Sequence, residues 1–243
     1  MRNTLLITGI PIDKVTMLGA VETLKFFLSE DKIHTIYTPN AEIMMSAQKN
    51  IELRKVLLEG DMVIPDGAGV VLASKIIGNA LPEKVSGIDL VRNSFSIKLD
   101  RKIRYFFFGS SLGIAEKAGE NIAQQYSNVE IVGFRNGFFC EEDEPEIINK
   151  INSANADILL VALGSPKQEL WIDKHKNSLN CKVCIGVGGS LDVFSGNVKP
   201  APEFLRRNGF EWLFRLYKEP RRLRRMLRLP KYIFLAASYR FKK

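Results

Sequence analysis

Five apolar runs of four to seven residues, each closed by a turn of small polar residues and each leading into a helix or turn, most limit what this chain can become. Residues 34–37 precede Thr38-Pro39-Asn40, and 62–65 precede Asp66-Gly67-Ala68-Gly69. Residues 103–108 precede Gly109-Ser110-Ser111, 157–163 precede Gly164-Ser165-Pro166-Lys167-Gln168, and 183–187 precede Gly188-Gly189-Ser190. Short β-branched and aromatic runs suit buried strands, and apolar residues spaced three and four apart suit helices. The periodicity predicts helices over 41–48, 51–58, 66–77, 89–99, 114–126, 142–154 and 167–177, with a further strand at 129–133. The chain opens with a strand-like run at 4–10 and a predicted helix over 13–28, where Val15, Leu18, Val21, Leu24, Phe27 and Leu28 share a face. Strands alternating with helices predict an α/β fold, a mostly parallel sheet with helices on both faces. In such sheets ligands sit beyond the carboxyl ends of the strands, where all five turns fall.

Composition agrees with a packed core: 46% of the 243 residues are hydrophobic and 26% charged, far from disorder or a membrane bundle. No apolar run approaches the ~20 residues needed to cross a bilayer. Leu5-Leu6-Ile7 is too short for the apolar core of an export signal, so none is expected. Three cysteines, Cys140, Cys181 and Cys184, cannot all pair, which suits a reducing cytosol. Strand alternation would send Cys181 and Cys184 to opposite faces, a structural pair rather than a metal or redox site. No ligand set for a metal is visible, and no cofactor is expected.

Charge is segregated. From residue 204 onward nine Arg and four Lys face two Glu, a net of +11, so with +8 overall the preceding 203 residues carry −3. Leu223, Met226, Leu227 and Leu229 interleave with the cations, the pattern of a basic amphipathic segment that lies on an anionic membrane or a partner; a solvated helix docked on the core is the other reading. The chain therefore divides into an α/β core over 1–200 and a basic, membrane-associating appendage over 201–243. Nucleic acid is not an expected partner, because the basicity is confined to one terminal segment and no recognition module is present.

The turns carry the chemistry. Asp66 reads either as an N-cap or as a general base aimed into a cleft, able to take the proton of an attacking hydroxyl. Gly109, Gly188 and Gly189 read either as plain turn glycines or as donors of backbone N–H groups to a diphosphate; none completes a standard phosphate or dinucleotide fingerprint. Gly164 opens the turn before Gln168, which could reach a phosphate or sugar hydroxyl, and Asp192 could accept from a ribose diol. Without a metal, helix N-termini and arginines are left to meet the charge of a departing diphosphate.

Taken together, Gly9-Ile10-Pro11, Thr38-Pro39-Asn40-Ala41-Glu42, Pro65-Asp66-Gly67, Ala162-Leu163-Gly164-Ser165-Pro166-Lys167-Gln168-Glu169, Gly186-Val187-Gly188-Gly189 and the run 215–230 resemble the WecG/TagA/CpsF glycosyltransferases over nearly the whole chain. The nearest resemblance is to the TagA-type members, which act in wall teichoic acid synthesis. It implies a Rossmann-like core with a C-terminal appendage, small homo-oligomers, and work at the cytoplasmic face of the membrane. It further implies inverting, metal-independent transfer of N-acetylmannosamine from a UDP donor to N-acetylglucosamine on undecaprenyl diphosphate. Asp66 matches the family's base, Thr38, Asn40 and Gln168 its pocket residues, and Arg215, Arg222 and Arg225 its tail arginines. A family arginine appears as Lys84, which keeps the charge and loses the bidentate fork. A relative using another nucleotide hexose, glucose or N-acetylmannosaminuronic acid, would share these motifs, and a non-enzymatic nucleotide- or lipid-binding regulator would lack only a working base.

Overall fold

The computed structural model describes residues 2–207, 211–218 and 228–240. Its opening differs from the expected strand and helix. Residues Thr4–Ile7 (β1) and Ile10–Asp13 (β2) form an antiparallel hairpin. Thr8 and Gly9 both take positive φ, 49° and 81°, as a two-residue hairpin turn whose twist matches its strands requires. The helix α1 starts only at Met17 and runs Met17–Ser29, capped by Thr16. Asp13 is held in the strand because its buried carboxylate receives Arg2 and the Val63 N–H at 2.6 Å.

Six strands then build one parallel sheet: His34–Tyr37 (β3), Met62–Val63 (β4), Ile103–Gly109 (β5), Val129–Arg135 (β6), Ile158–Ala162 (β7) and Val183–Gly186 (β8). Their order is β4-β3-β8-β7-β5-β6. Successive strand residues feed two cores, Phe106 and Phe108 into one and Tyr105 and Phe107 into the other, as the period of two demands. The first core lies under Ala41–Ala47 (α2), Ile51–Glu59 (α3), Ala68–Ile77 (α4), Glu144–Ser153 (α7), Lys167–His175 (α8) and the hairpin. The second lies under α1, Gly87–Ser94 (α5), Ile114–Gln125 (α6) and Ser190–Phe194 (α9). This is the Rossmann-like architecture with helices on both faces. The helix expected over 89–99 is shorter and earlier, because Asn128 Nδ2 ties the Phe95 and Ile97 carbonyls at 2.8 and 2.6 Å and turns both side chains into the core.

Cys181 and Cys184 also depart from expectation. Cys181 precedes β8, so strand alternation does not govern it; both thiols enter one core with their sulfurs 3.4 Å apart. Contact with Cys181 and burial push the Cys184 thiol well above its ordinary range.

Beyond residue 200 come Glu203–Arg207 (α10), Glu211–Lys218 (α11), which packs on α10, and Arg228–Arg240 (α12). The last runs alongside α4 and α2. Tyr232 and Ala236 are fully buried in the first core, and Arg240 donates to the Ile76 carbonyl at 3.3 Å. No described helix is long and apolar enough to cross a membrane.

Candidate active site at the carboxyl ends of the strands

Reversals of direction open a crevice at one edge of the sheet. The chain leaves β3 for α2 on one face and leaves β8, its neighbour, for α9 on the other. It likewise leaves β7 for α8 and β5 for α6 on opposite faces. Ligands of open α/β sheets bind where such connections diverge.

At the β4 end, Asp66 is half-buried, and its N–H donates to the Ile64 carbonyl at 3.0 Å in a tight turn. The N-cap position of α4 is held by Gly67, at φ 88°, so Asp66 stands one residue outside the helix. A Cβ on Gly67 would lie 3.7 Å from that of Asn40, which sets the aspartate turn against the start of α2. Asn40 caps that helix, its Oδ1 accepting from the Glu42 and Ile43 N–H groups at 2.9 and 3.1 Å. Lys84 is brought alongside by its neighbour, since the Val85 N–H donates to the Pro65 carbonyl at 3.1 Å.

The middle of the crevice is organised around β8. Thr38 Oγ1 donates to the Gly186 carbonyl at 3.2 Å, and a Cβ on Gly87 would stand 3.0 Å from the Thr38 side chain, so α5 begins in contact with the end of β3. Gln168, almost wholly buried on the first turn of α8, accepts from the Gly188 N–H at 2.9 Å through Oε1 and donates to Glu169 Oε1 at 2.9 Å through Nε2. Burial, the larger effect, raises the Glu169 pKa above the usual carboxylate range against the lowering hydrogen bonds from Gln168 and Ser165. Gly164 takes φ 75° and its carbonyl accepts the Gln168 N–H at 3.0 Å.

At the far end, Gly109 and Ser110 both have positive φ, 123° and 58°, and Ser110 Oγ donates to Asp192 Oδ2 at 3.2 Å. A Cβ on Gly109 would enter the Ala162 backbone, which explains glycine there.

Thr38, Asn40, Asp66, Lys84, Gly109, Gly164, Gln168, Gly188, Gly189 and Asp192 thus line the ends of five adjacent strands or the turns beside them. Arg215 lies on α11, and Arg222 and Arg225 lie outside the described residues. Among the described residues, no group of three His, Cys, Asp or Glu side chains is placed to hold a metal ion. Sequence reasoning missed two participants. Gly87 carried only the signal of a glycine at a helix start, and Leu229 lies against the first turn of α4, within 2.6 Å of where a Cβ on Gly69 would stand.

A doubly covered parallel sheet with turns of this polarity massed at its switch point is an α/β architecture of the kind that takes ligands across its strand ends. The chain belongs to the glycosyl transferase WecG/TagA/CpsF family, whose model matches residues 5–243. It is 39% identical over 207 residues to the N-acetylglucosaminyldiphosphoundecaprenol N-acetyl-beta-D-mannosaminyltransferase of Bacillus spizizenii, covering 85% of this chain and 80% of that protein. Proteins of the same name from Bacillus subtilis and Staphylococcus aureus are 34% and 31% identical over 93% and 96% of this chain, and 88% and 91% of theirs.

Proposed function

We propose that this chain is an inverting glycosyltransferase that moves N-acetylmannosamine from UDP-N-acetylmannosamine to N-acetylglucosamine carried on undecaprenyl diphosphate, building the linkage unit of wall teichoic acid. The observation that carries the chemistry is a carboxylate, Asp66, at one end of a row of turns whose other end is the Ser110–Asp192 pair. From β4 to β5 the row crosses four strand spacings of ~4.8 Å, about 19 Å, the scale of an extended nucleoside-diphosphate sugar. Asp192 and Ser110 suit the ribose, and the turn at Gly188-Gly189, held from beneath by Gln168, suits the diphosphate and sugar. Asp66 takes the proton of the acceptor hydroxyl as its oxygen attacks the anomeric carbon from the side opposite the leaving group. The carbon–oxygen bond to UDP breaks and the diphosphate leaves with the electron pair.

The growing negative charge is met by cations. Lys84 stands beside the Asp66 turn, and the tail supplies Arg215, Arg222 and Arg225. Arg228 Nη1 donates to Ser46 Oγ at 2.9 Å, and Leu229 sits at the first turn of α4. Arg225 is three residues upstream of that anchor, and an extended chain spans at most ~11 Å over that length. The basic segment also attaches to the anionic cytoplasmic face of the membrane, where the lipid acceptor resides.

Asp66→Asn tests the base. A general base contributes about 10²–10⁴-fold, so transfer should fall by at least ~100-fold while UDP binding, followed by calorimetry, is unchanged. Near-normal turnover in that variant ends the assignment.

A further inference from the structure

Beneath the crevice lies a carboxyl group that the transfer chemistry leaves unused. Glu169 is 1% exposed on the first turn of α8. Its Oε1 accepts from Gln168 Nε2 at 2.9 Å, and the carboxyl group lies buried beside Ser165. The neighbouring amide is fixed at both ends: its oxygen takes the Gly188 N–H and its nitrogen serves Glu169. Turned over by 180°, the same amide would face N–H to N–H at Gly188 and oxygen to oxygen at Glu169. Gly186 has room for no side chain on this flank, since a Cβ there would stand 2.8 Å from Gln168 Nε2.

We infer that Glu169 is a positioning residue for donor binding, acting through the Gln168 amide to hold the Gly188-Gly189 turn, at φ 51° for Gly188, in the form that receives the nucleotide sugar. The inference rests on the reading that this crevice binds a UDP-sugar. Glu169 touches no reacting atom in this scheme. Its effect falls on donor affinity and leaves proton removal by Asp66 alone. A glutamine in its place keeps the volume and the oxygen that Gln168 needs. A methionine keeps the volume and removes the acceptor.

The experiment compares wild type, Glu169→Met and Glu169→Gln in transfer from UDP-N-acetylmannosamine to a lipid-linked N-acetylglucosamine analogue, with melting temperatures in parallel. Loss of one hydrogen bond to a buried group, read as a dissociation constant, corresponds to about a tenfold change. KM for the donor should therefore rise about tenfold in Glu169→Met with kcat within about threefold, and return close to wild type in Glu169→Gln. An unchanged donor KM in folded Glu169→Met overturns the inference, as does a folded Glu169→Gln that is no better than the methionine variant. If Glu169→Met does not fold, the wild-type protein decides by hydrogen exchange: a protected Gly188 amide supports the hold, and one exchanging at the rate of an open loop overturns it. Failure of the transferase reading shows in the wild type, as absent transfer; failure of this inference shows in the variants or in the Gly188 amide while the wild type still works.

Discussion

Gly186 limits how closely the Gln168 amide can lie against the end of β8. Any side chain there would meet Gln168 Nε2 at 2.8 Å, and that amide is anchored to Gly188 and Glu169, so it cannot swing aside without breaking one hold. Gly186→Ala should therefore lower donor affinity by about tenfold, the equivalent of one such hydrogen bond, while the melting temperature moves little. Isothermal titration with UDP reads this directly, and an alanine variant that binds UDP as wild type does would mean Gln168 has slack. Much of the candidate site's placement was legible one residue at a time: Thr38, Asn40, Asp66 and Gln168 announce themselves as polar groups at or just beyond the turns that close apolar runs. Gly87 was not legible, because its closeness to Thr38 is created by the crossover from β4 and no local pattern records it. Nor does the Asp66-Gly67-Ala68-Gly69 motif say which residue caps α4; the positive φ of Gly67 settles that at the backbone level.

The elements repeat this division between local and non-local information. Four strands, β3, β5, β7 and β8, were readable to within one residue at each end, because each appears as an almost unbroken apolar run between two cores. The β1–β2 hairpin was hidden by Thr8, a β-branched residue in a left-handed turn where asparagine or glycine is the usual signal. Helix α12 was visible only as the end of a basic run; that Tyr232 and Ala236 would fill the core beside α4 depends on packing that its cation-rich sequence does not advertise. The structure makes this helix part of what holds the first core together. Tyr232→Ala removes a fully buried ring, and truncations of this kind cost about 3–5 kcal/mol. The Tyr232 hydroxyl has no partner among the described residues, so Tyr232→Phe should be tolerated or slightly stabilising. Urea unfolding of the pair separates the two effects; equal losses in both would mean the hydroxyl, not the ring, is the group that matters.

Across the whole molecule the decisive feature is that charge and catalytic candidates are kept apart in sequence and joined in space. A core of net −3 bears Asp66 and the turns, and a terminal segment of net +11 ends in a helix packed beside the Asp66 turn. Among the described residues, exposed apolar side chains accompany the cations on this segment: Phe204, Trp212, Leu213, Tyr217 and Phe234. For the proposed attachment to a membrane, charge and apolar insertion answer differently to salt. Basic residues near an anionic leaflet contribute about 1 kcal/mol each, so half a dozen give ~6 kcal/mol, roughly four decades of affinity. Raising salt from ~0.1 to ~1 M shortens the Debye length from ~10 to ~3 Å and removes most of that term, whereas apolar insertion is little affected. With thirteen cations against two carboxylates on this segment, the electrostatic term should dominate. The protein is therefore expected to sediment with phosphatidylglycerol-containing vesicles at low salt, to be released at high salt, and to ignore neutral phosphatidylcholine vesicles. Equal recovery with neutral vesicles would show that apolar insertion, not charge, holds it there, and the separation of +11 from −3 would then need another purpose.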